Sequence, residues 1–342
     1  MGSFSVSYIG LTTMFRNLSS TEMSQNFRNM LEYRKVISER LGGTNPYTAG
    51  LPDPLDPEYS KGYGRYSQDV VIPAFVAAYT GKNPRTAPLI LYEDRTNKNN
   101  PFRNFMPMPN WNLRYNGLTK IPGLQDKVRT LTISHTYSGN LSMNNFMSHL
   151  FYQDFLGVGF PSFIDSVSGN YIPYFMVPNM TISEQFSPLL GIDMQLANSL
   201  SLKITYNKSR TLSLSLVDYQ VSETNSSEIM VGCGYRIQGL NMPFSIFGVN
   251  RLENDINIKV DVGLRDDITV NSYMATETIT ATRGQRVLTI NPRIDYIIND
   301  ALQIQLFFDR RQSIPYVQQT FPLTSTRAGV TLRYIFTEGF GF

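Results

Sequence analysis

Cysteine is almost missing from this sequence, with one residue, Cys233, in 342, which excludes an intrachain disulfide framework. Its surroundings, IMVGCGYRI, alternate, so Cys233 shares an apolar side with Ile229, Val231, Tyr235 and Ile237. That is the place of a buried or lipid-facing spectator, not of a reactive thiol. No apolar run reaches the roughly eighteen residues of a spanning helix. Spanning β-strands alternate and escape a hydropathy window, so membrane strands are not excluded. Charged residues make up 17 % and the formal charge is +3. No block of five or six like charges occurs, so neither a nucleic-acid partner nor a polybasic membrane patch is expected.

Catalytic residue types are scarce as well. Only two histidines occur, His135 and His149, and no G-x-S-x-G nucleophile motif is present. His135 with Ser134 or Ser138 is the one candidate nucleophile–base pair. A lumen or rim position suits this histidine better than catalysis. Neither His nor Cys recurs at metal-ligand spacing, the acidic positions Asp53–Asp56 and Asp266–Asp267 do not form a Ca²⁺ loop, and GKNP at 81–84 lacks the rest of a phosphate loop. No enzyme, metal or cofactor is expected.

What the chain does contain is alternation. Residues 255–265, DINIKVDVGLR, carry Ile256, Ile258, Val260, Val262 and Leu264 at even positions. Charges, an amide and a glycine fill the odd ones. A strand of this length, with one aliphatic and one polar face, fits the roughly nine to eleven residues that cross a bilayer at a tilt. The pattern recurs at 3–13, 111–116, 128–137, 180–197 (bent at Pro188), 200–207, 211–216, 228–238, 284–298, 301–314 and 325–336, about eleven strands in all. Residues 14–110 read mostly as a loop and helix insertion. A short amphipathic helix is expected near 20–41, with Ser19 and Glu22 as a capping box, Met23, Phe27, Met30, Leu31 and Ile37 at helical spacing, and Gly42–Gly43 as its stop. The segments 43–68, 81–109 and 140–174 read as long irregular loops. DVVIPAFVAAY at 69–79 is left open between a short helix and a buried strand. Asn299–Asp300 reads as a two-residue turn. The connections 238–254 and 271–283 are expected to be longer and to lie on the opposite side, the asymmetry of an outer-membrane barrel.

The segments SQDVVIPAFVAAYTGKNP (67–84), MPNWNLRYNGLTKIPGL (108–124), ISEQFSPLLGIDM (182–194), KSRTLSLSLVDYQVSE (208–223), GCGYRI (232–237), GQRVLTI (284–290), LFFDRRQSIPYV (306–317) and STRAGVTLRY (325–334) carry a family resemblance. In this order, from Gly2 to Phe336, the chain resembles the C-terminal part of the SprA (Sov) family, the outer-membrane translocons of type IX secretion. It departs from that family at Cys233, at Pro292 inside a strand and in the tail after Phe336.

The resemblance implies a barrel of about thirty-six strands, the largest known, which passes folded cargo proteins bearing a C-terminal secretion signal to the cell surface. It also implies a PorV-like outer-membrane barrel beside a lateral opening, and a plug protein. About eleven strands do not close so wide a barrel. The chain is therefore expected to be a fragment or a separately encoded C-terminal part that joins the remaining SprA-like barrel, as MGSFSVSYIG, which is no signal peptide, also suggests. On this expectation Ile256, Ile258, Val260, Val262 and Leu264 face lipid. Lys203, Lys259, Asp261, Arg265, Asp309 and Arg333 face a hydrated lumen, or pair across neighbouring strands. Leu332, Tyr334 and Phe336 form a C-terminal assembly signal. A free-standing outer-membrane porin and a soluble β-sandwich adhesin remain as alternatives.

Overall fold

A computed structural model describes residues 1–89, 106–246, 249–252, 254–298, 302–317 and 321–334. The chain is mostly antiparallel β. The described residues form thirteen strands: β1 (Gly2–Ser7), β2 (Trp111–Tyr115), β3 (Val128–Ser148), β4 (Phe175–Met176), β5 (Asn179–Leu196), β6 (Leu200–Ser215), β7 (Gln220–Ile237), β8 (Leu240–Ile246), β9 (Val249–Leu252), β10 (Ile256–Tyr273), β11 (Thr278–Ile297), β12 (Leu302–Pro315) and β13 (Leu323–Tyr334). The main sheet runs β1-β3-β5-β6-β7-β10-β11-β12-β13, with β2 and β4 also paired to β3, and β8–β9 forms a separate hairpin. Among the described residues no pairing joins β1 to β13, and no second sheet covers the first.

Three helices interrupt the early chain: α1 (Leu11–Met14), α2 (Gln25–Thr44) and α3 (Gln68–Thr80). The capping box at Ser19 is corrected. Ser19 Oγ does accept the Glu22 N–H at 3.2 Å, but no helix follows it. Ser24 caps α2 instead, accepting from the Phe27 N–H at 3.2 Å, so Met23 precedes the helix, whose buried face starts at Asn26 and Phe27. Gly42 and Gly43 do not stop the helix, which ends at Asn45, whose N–H reaches Leu41 O. Gly42 is buried, and a Cβ there would lie 2.3 Å from the Ser60 side chain, so its value lies in close approach. The open question at 69–79 resolves as α3. Every residue from Asp69 to Thr80 is buried, and a helix enclosed on all sides needs no polar face. Gly81, at φ 70°, closes it in the left-handed conformation.

α2 and α3 pack on one face at one end of the sheet. Phe27, Met30, Ile37, Val71 and Phe75 share a core with Leu141, Met143, Met180, Ile182, Leu212, Leu214 and Val221. The insertion is thus continuous with the sheet rather than a separate unit. The irregular segments around it are ordered against one another. Tyr171 N–H bonds Gly62 O at 2.8 Å, Asn170 Oδ1 accepts the Gly64 N–H at 2.8 Å, and Asn45 Nδ2 reaches Pro161 O at 3.0 Å.

Three further boundaries differ from expectation. Residues 140–148 belong to β3, where Leu141 and Met143 are fully buried, despite the Ser- and Asn-rich composition. The segments expected at 200–207 and 211–216 are parts of one strand, β6, which ends at Ser215; its polar middle, NKSR, stays paired with β7, while the pairing to β5 shifts register between Phe186 and Leu190, opposite Asn207. The predicted asymmetry of the connections fails. β10 and β11 pair up to Tyr273–Thr278, leaving a turn of four residues at 274–277. The long connection from β7 to β10 emerges at the same end as the tight β5–β6 turn. Asn299–Asp300 and Phe336 lie outside the described residues, and 90–105 of the expected 81–109 loop does too. Pro292 sits opposite Val260 in a stretch of the β10–β11 ladder that runs without a shift from Ile256 to Thr269, while pairing to β12 skips Asn291 and Pro292, as a residue without an N–H requires.

Candidate functional site

Because side chains alternate along each strand and register carries parity across partners, the pairing fixes two faces over the body of the sheet, between the single-residue bulges near Val128, Thr269 and Gly2. One face carries rows of apolar residues. Val262 lies between Val231 of β7 and Ile290 of β11, and the row continues through Ile204, Ile192, Ile133 and Tyr115. The next rows hold Leu202, Cys233 and Val260, then Leu200, Tyr235, Ile258, Ile294, Leu306 and Val330. The opposite face is mostly polar from β3 to β13, with Met230, Val287, Phe307 and Leu323 as apolar exceptions. Thr132, Asp193, Lys203, Gly232, Asp261 and Asn291 form one row.

All six predicted lumen residues lie on the polar face, and all five predicted lipid residues on the apolar one. Lys203, Lys259, Asp261, Arg265 and Arg333 are exposed and Asp309 is half-buried. Ion pairs, across strands or along one strand, account for part of this set. Asp309 meets Arg327 at 2.9 Å and Arg293 at 3.9 Å, and Arg265 meets Asp267 at 2.8 Å. Lys203, Lys259, Asp261 and Arg333 form no ion pair among the described residues. On the apolar face Val262 and Leu264 are 37 % and 43 % exposed, whereas Ile256 is covered at 7 %. Ile256 stands at the strand end where the chain re-enters from the β8–β9 excursion, and there the expectation of an open position is corrected. Leu332 and Tyr334 are both on the apolar face and exposed.

The apolar band has an upper limit, toward the helices, and that limit slopes. On β3 and β5 the last apolar residues before the core under α2 and α3 are Tyr137 and Phe186, which are themselves covered by Ile9, Leu11 and Met14, pair together and stand in the row of Lys208, Ser227 and Asp266. On β6, β7, β10 and β11 they are Tyr206, Ile229, Leu264 and Leu288, one row lower. On β12 and β13 Gln312, Arg310, Thr324 and Thr326 replace apolar residues, and the limit falls to Phe308 and Ala328, level with Val260; Ile314 stands alone beyond. From the row of Asp266 to that of Val260 is six residues over seven strand-to-strand steps, or about 0.9 residue per strand. With a rise near 3.3 Å and a strand spacing near 4.8 Å, that slope is roughly 30°. A slab cutting strands tilted by about that angle leaves such a diagonal, and membrane barrels tilt by roughly 35–45°. On β10 the band from Ile256 to Leu264 is about 26 Å along the strand, or roughly 23 Å in height at that tilt, against roughly 25 Å for the apolar belt of such barrels.

Aromatics mark the upper limit. Trp111 stacks on Tyr137 at 4.5 Å, Tyr137 meets Phe186 at 5.0 Å, and Phe186 meets Phe15 at 5.8 Å. His135 belongs to this cluster, 5.3 Å from Phe186, with Nδ1 2.6 Å from Leu189 O. It therefore stands on the apolar face, not in a polar lumen. Alternation puts Ser134 and Ser138 on the other face, so the one candidate Ser–His pair is not assembled. At the lower limit stand Tyr235, Tyr296 and Tyr334.

Just above the girdle lies a buried ion pair that sequence inspection did not single out. Arg210 and Glu184 are fully buried and form a salt bridge. Arg210 Nη1 also donates to Thr13 Oγ1 at 2.8 Å, and Nη2 to Gly10 O at 3.2 Å and Tyr79 O at 3.3 Å. Glu184 Oε1 accepts from Gly10 N–H at 2.8 Å and Tyr137 O–H at 3.1 Å. One pair thereby ties β5 and β6 to α1 and to the last turn of α3. Its signal in the sequence is parity, since Glu184, Lys208 and Arg210 are charged at positions where their strands are otherwise apolar.

Comparison with protein-family models and with curated proteins finds no match. What the chain does must then be read from its two faces. Among the described residues no helix is long and apolar enough to cross a membrane, which leaves strands untouched, and no cluster of His, Cys, Asp or Glu could hold a metal ion. A β-sandwich would bury the apolar face under a second sheet. Among the described residues only the helical end of that face is covered.

Proposed function

We propose that this chain is an arc of the wall of a protein-conducting outer-membrane pore of the type IX secretion kind. Lipid lies against the apolar face, a hydrated lumen lies against the polar face, and folded cargo passes along it. The observation that carries this is the diagonal apolar band, of membrane height, on a single-layered sheet with a polar reverse. Exposed apolar surface on this scale needs a partner, and a bilayer is the partner whose geometry is a tilted slab. The two outer edges, β1 and β13, are where the remaining barrel would pair, because lipid does not tolerate an unpaired strand edge. The resemblance adds the cargo with its C-terminal signal, the PorV-like barrel and the plug.

No covalent chemistry is needed. Unpaired Lys203, Lys259, Asp261 and Arg333, of mixed sign, keep the surface wet and offer moving cargo no continuous charged or greasy patch. A photo-crosslinker at Lys259 or Asp261, in cells secreting cargo, should capture secreted proteins, and one at Val262 should not. Capture at Val262 only, or at none of the three while secretion proceeds, would overturn the proposal. Ion conductance by this chain alone would point to a closed porin instead.

A further inference from the structure

We propose that residues 9–16, together with Lys208, form a shelf that binds an anionic lipid headgroup in the leaflet nearer the helices. This rests on the membrane reading above and assigns that reading a specific lipid contact.

The segment runs over the apolar face at the level where the band ends. Ile9, Leu11 and Met14 pack with Trp111, Tyr137, Phe186 and Leu189, which are girdle residues or their neighbours. Phe15 projects outward from this base and is 50 % exposed. Its ring is bracketed by Phe186 on β5, at 5.8 Å, and by Lys208 on β6, whose Nζ stands 5.1 Å from the ring centroid. An exposed phenyl ring at the end of an apolar band, with a cation on it, has the two parts of an interfacial lipid contact: a group for the upper acyl chain and a charge for the phosphate.

The neighbouring charges leave that cation available. Glu184 is engaged by Arg210 and Asp266 by Arg286. Among the described residues Lys208 has no carboxylate within ion-pair distance. Arg16, next to Phe15 and exposed, spends one N–H on Asn26 Oδ1 at 2.6 Å and keeps the others. The shelf is also braced from behind, because Arg210 holds Gly10 and Thr13. A lipid bound here would fix the depth of the wall through rigid contacts rather than through a loop.

The test uses the single tryptophan. In a Trp111→Phe background, Phe15→Trp reports from the shelf and Leu264→Trp from the band. Each protein, assembled with the remaining barrel, is reconstituted in vesicles containing brominated phosphatidylglycerol or brominated phosphatidylcholine, with the bromines near the glycerol, and the emission of the Trp111→Phe parent assembly is subtracted. Quenching at position 15 should favour the anionic lipid, roughly fivefold for each basic residue that contributes. The preference should fall toward parity in Lys208→Gln, weaken in Arg16→Gln and persist in Lys208→Arg. Equal quenching by both lipids, or a preference that Lys208→Gln leaves unchanged, overturns the headgroup site. Quenching at position 264 but not at 15 overturns the shelf and leaves the membrane reading standing. Quenching at neither position overturns both.

Discussion

The buried Arg210–Glu184 pair gives the sharpest energetic prediction. Arg210→Met leaves a carboxylate enclosed without its cation, although Gly10 N–H and Tyr137 O–H still donate to it. Removing one member of a buried pair costs about 3–5 kcal/mol. Glu184→Gln keeps an acceptor for Gly10 and Tyr137 but strands the guanidinium, so its cost falls in the same range. In the double variant no charge remains to be desolvated, and the amide oxygen introduced at position 184 still serves both donors. The double variant should therefore be less damaged than the two single costs added, with a coupling of about 2–3 kcal/mol. The assay is urea unfolding of the chain reconstituted together with the remaining barrel. A loss of about 4 kcal/mol against a slope near 3 kcal/mol per molar moves the midpoint by roughly 1.3 M. Single variants that each cost under about 1 kcal/mol, or a double variant whose cost is additive within about 0.5 kcal/mol, would refute the idea that this pair locks the helices to the sheet.

Three other outcomes follow from the same geometry. Val262→Lys should destabilise the protein in vesicles by about 2–4 kcal/mol, while Asp261→Lys, one residue away on the polar face, should stay within about 0.5 kcal/mol; similar costs would contradict the two-faced assignment. Gly139→Val should open the β1–β3 seam, because a Cβ there would sit 2.1 Å from the backbone oxygen of Tyr8; faster hydrogen exchange at Tyr8 N–H, bonded to Gly139 O at 3.0 Å, measures it, and unchanged exchange counts against it. The Ser168 hydroxyl and N–H hold the Asp165 carboxyl below its ordinary range. A depressed folded value means that its contribution is present above the ordinary carboxylate range and is lost as pH falls through the folded value. Proteolysis at 165–169 should therefore accelerate on acidification in the native chain and lose that dependence in Asp165→Asn.

The strands and their faces were legible because alternation survives wherever one side is aliphatic and the other polar. Val262 and Asp261 are on the expected opposite sides for that reason alone. Legibility failed where packing replaced alternation. α3 is apolar on all sides because it is enclosed, so no period distinguished it from a buried strand. Residues 207–210 looked like a break because Lys208 and Arg210 occupy apolar-face positions, and these are where the sheet receives the helices. Residues 140–148 looked like a loop because the helices supply their apolar partners from far along the chain. The slope of the band is a property of register, which no single strand contains. The girdle around Trp111 and Phe15 likewise joins residues 96 positions apart in the numbering.

The membrane assignment is tested most directly on β10. With Cys233 replaced by alanine, single cysteines at 257 through 265 in the chain assembled with a cysteine-free remaining barrel and reconstituted are exposed to a charged, water-soluble thiol reagent and to a lipid-soluble one. Odd positions such as Lys259, Asp261 and Arg265 should react with the water-soluble reagent, and even positions such as Ile258, Val260, Val262 and Leu264 only with the lipid-soluble one. Equal reaction of odd and even positions with the water-soluble reagent would contradict the account.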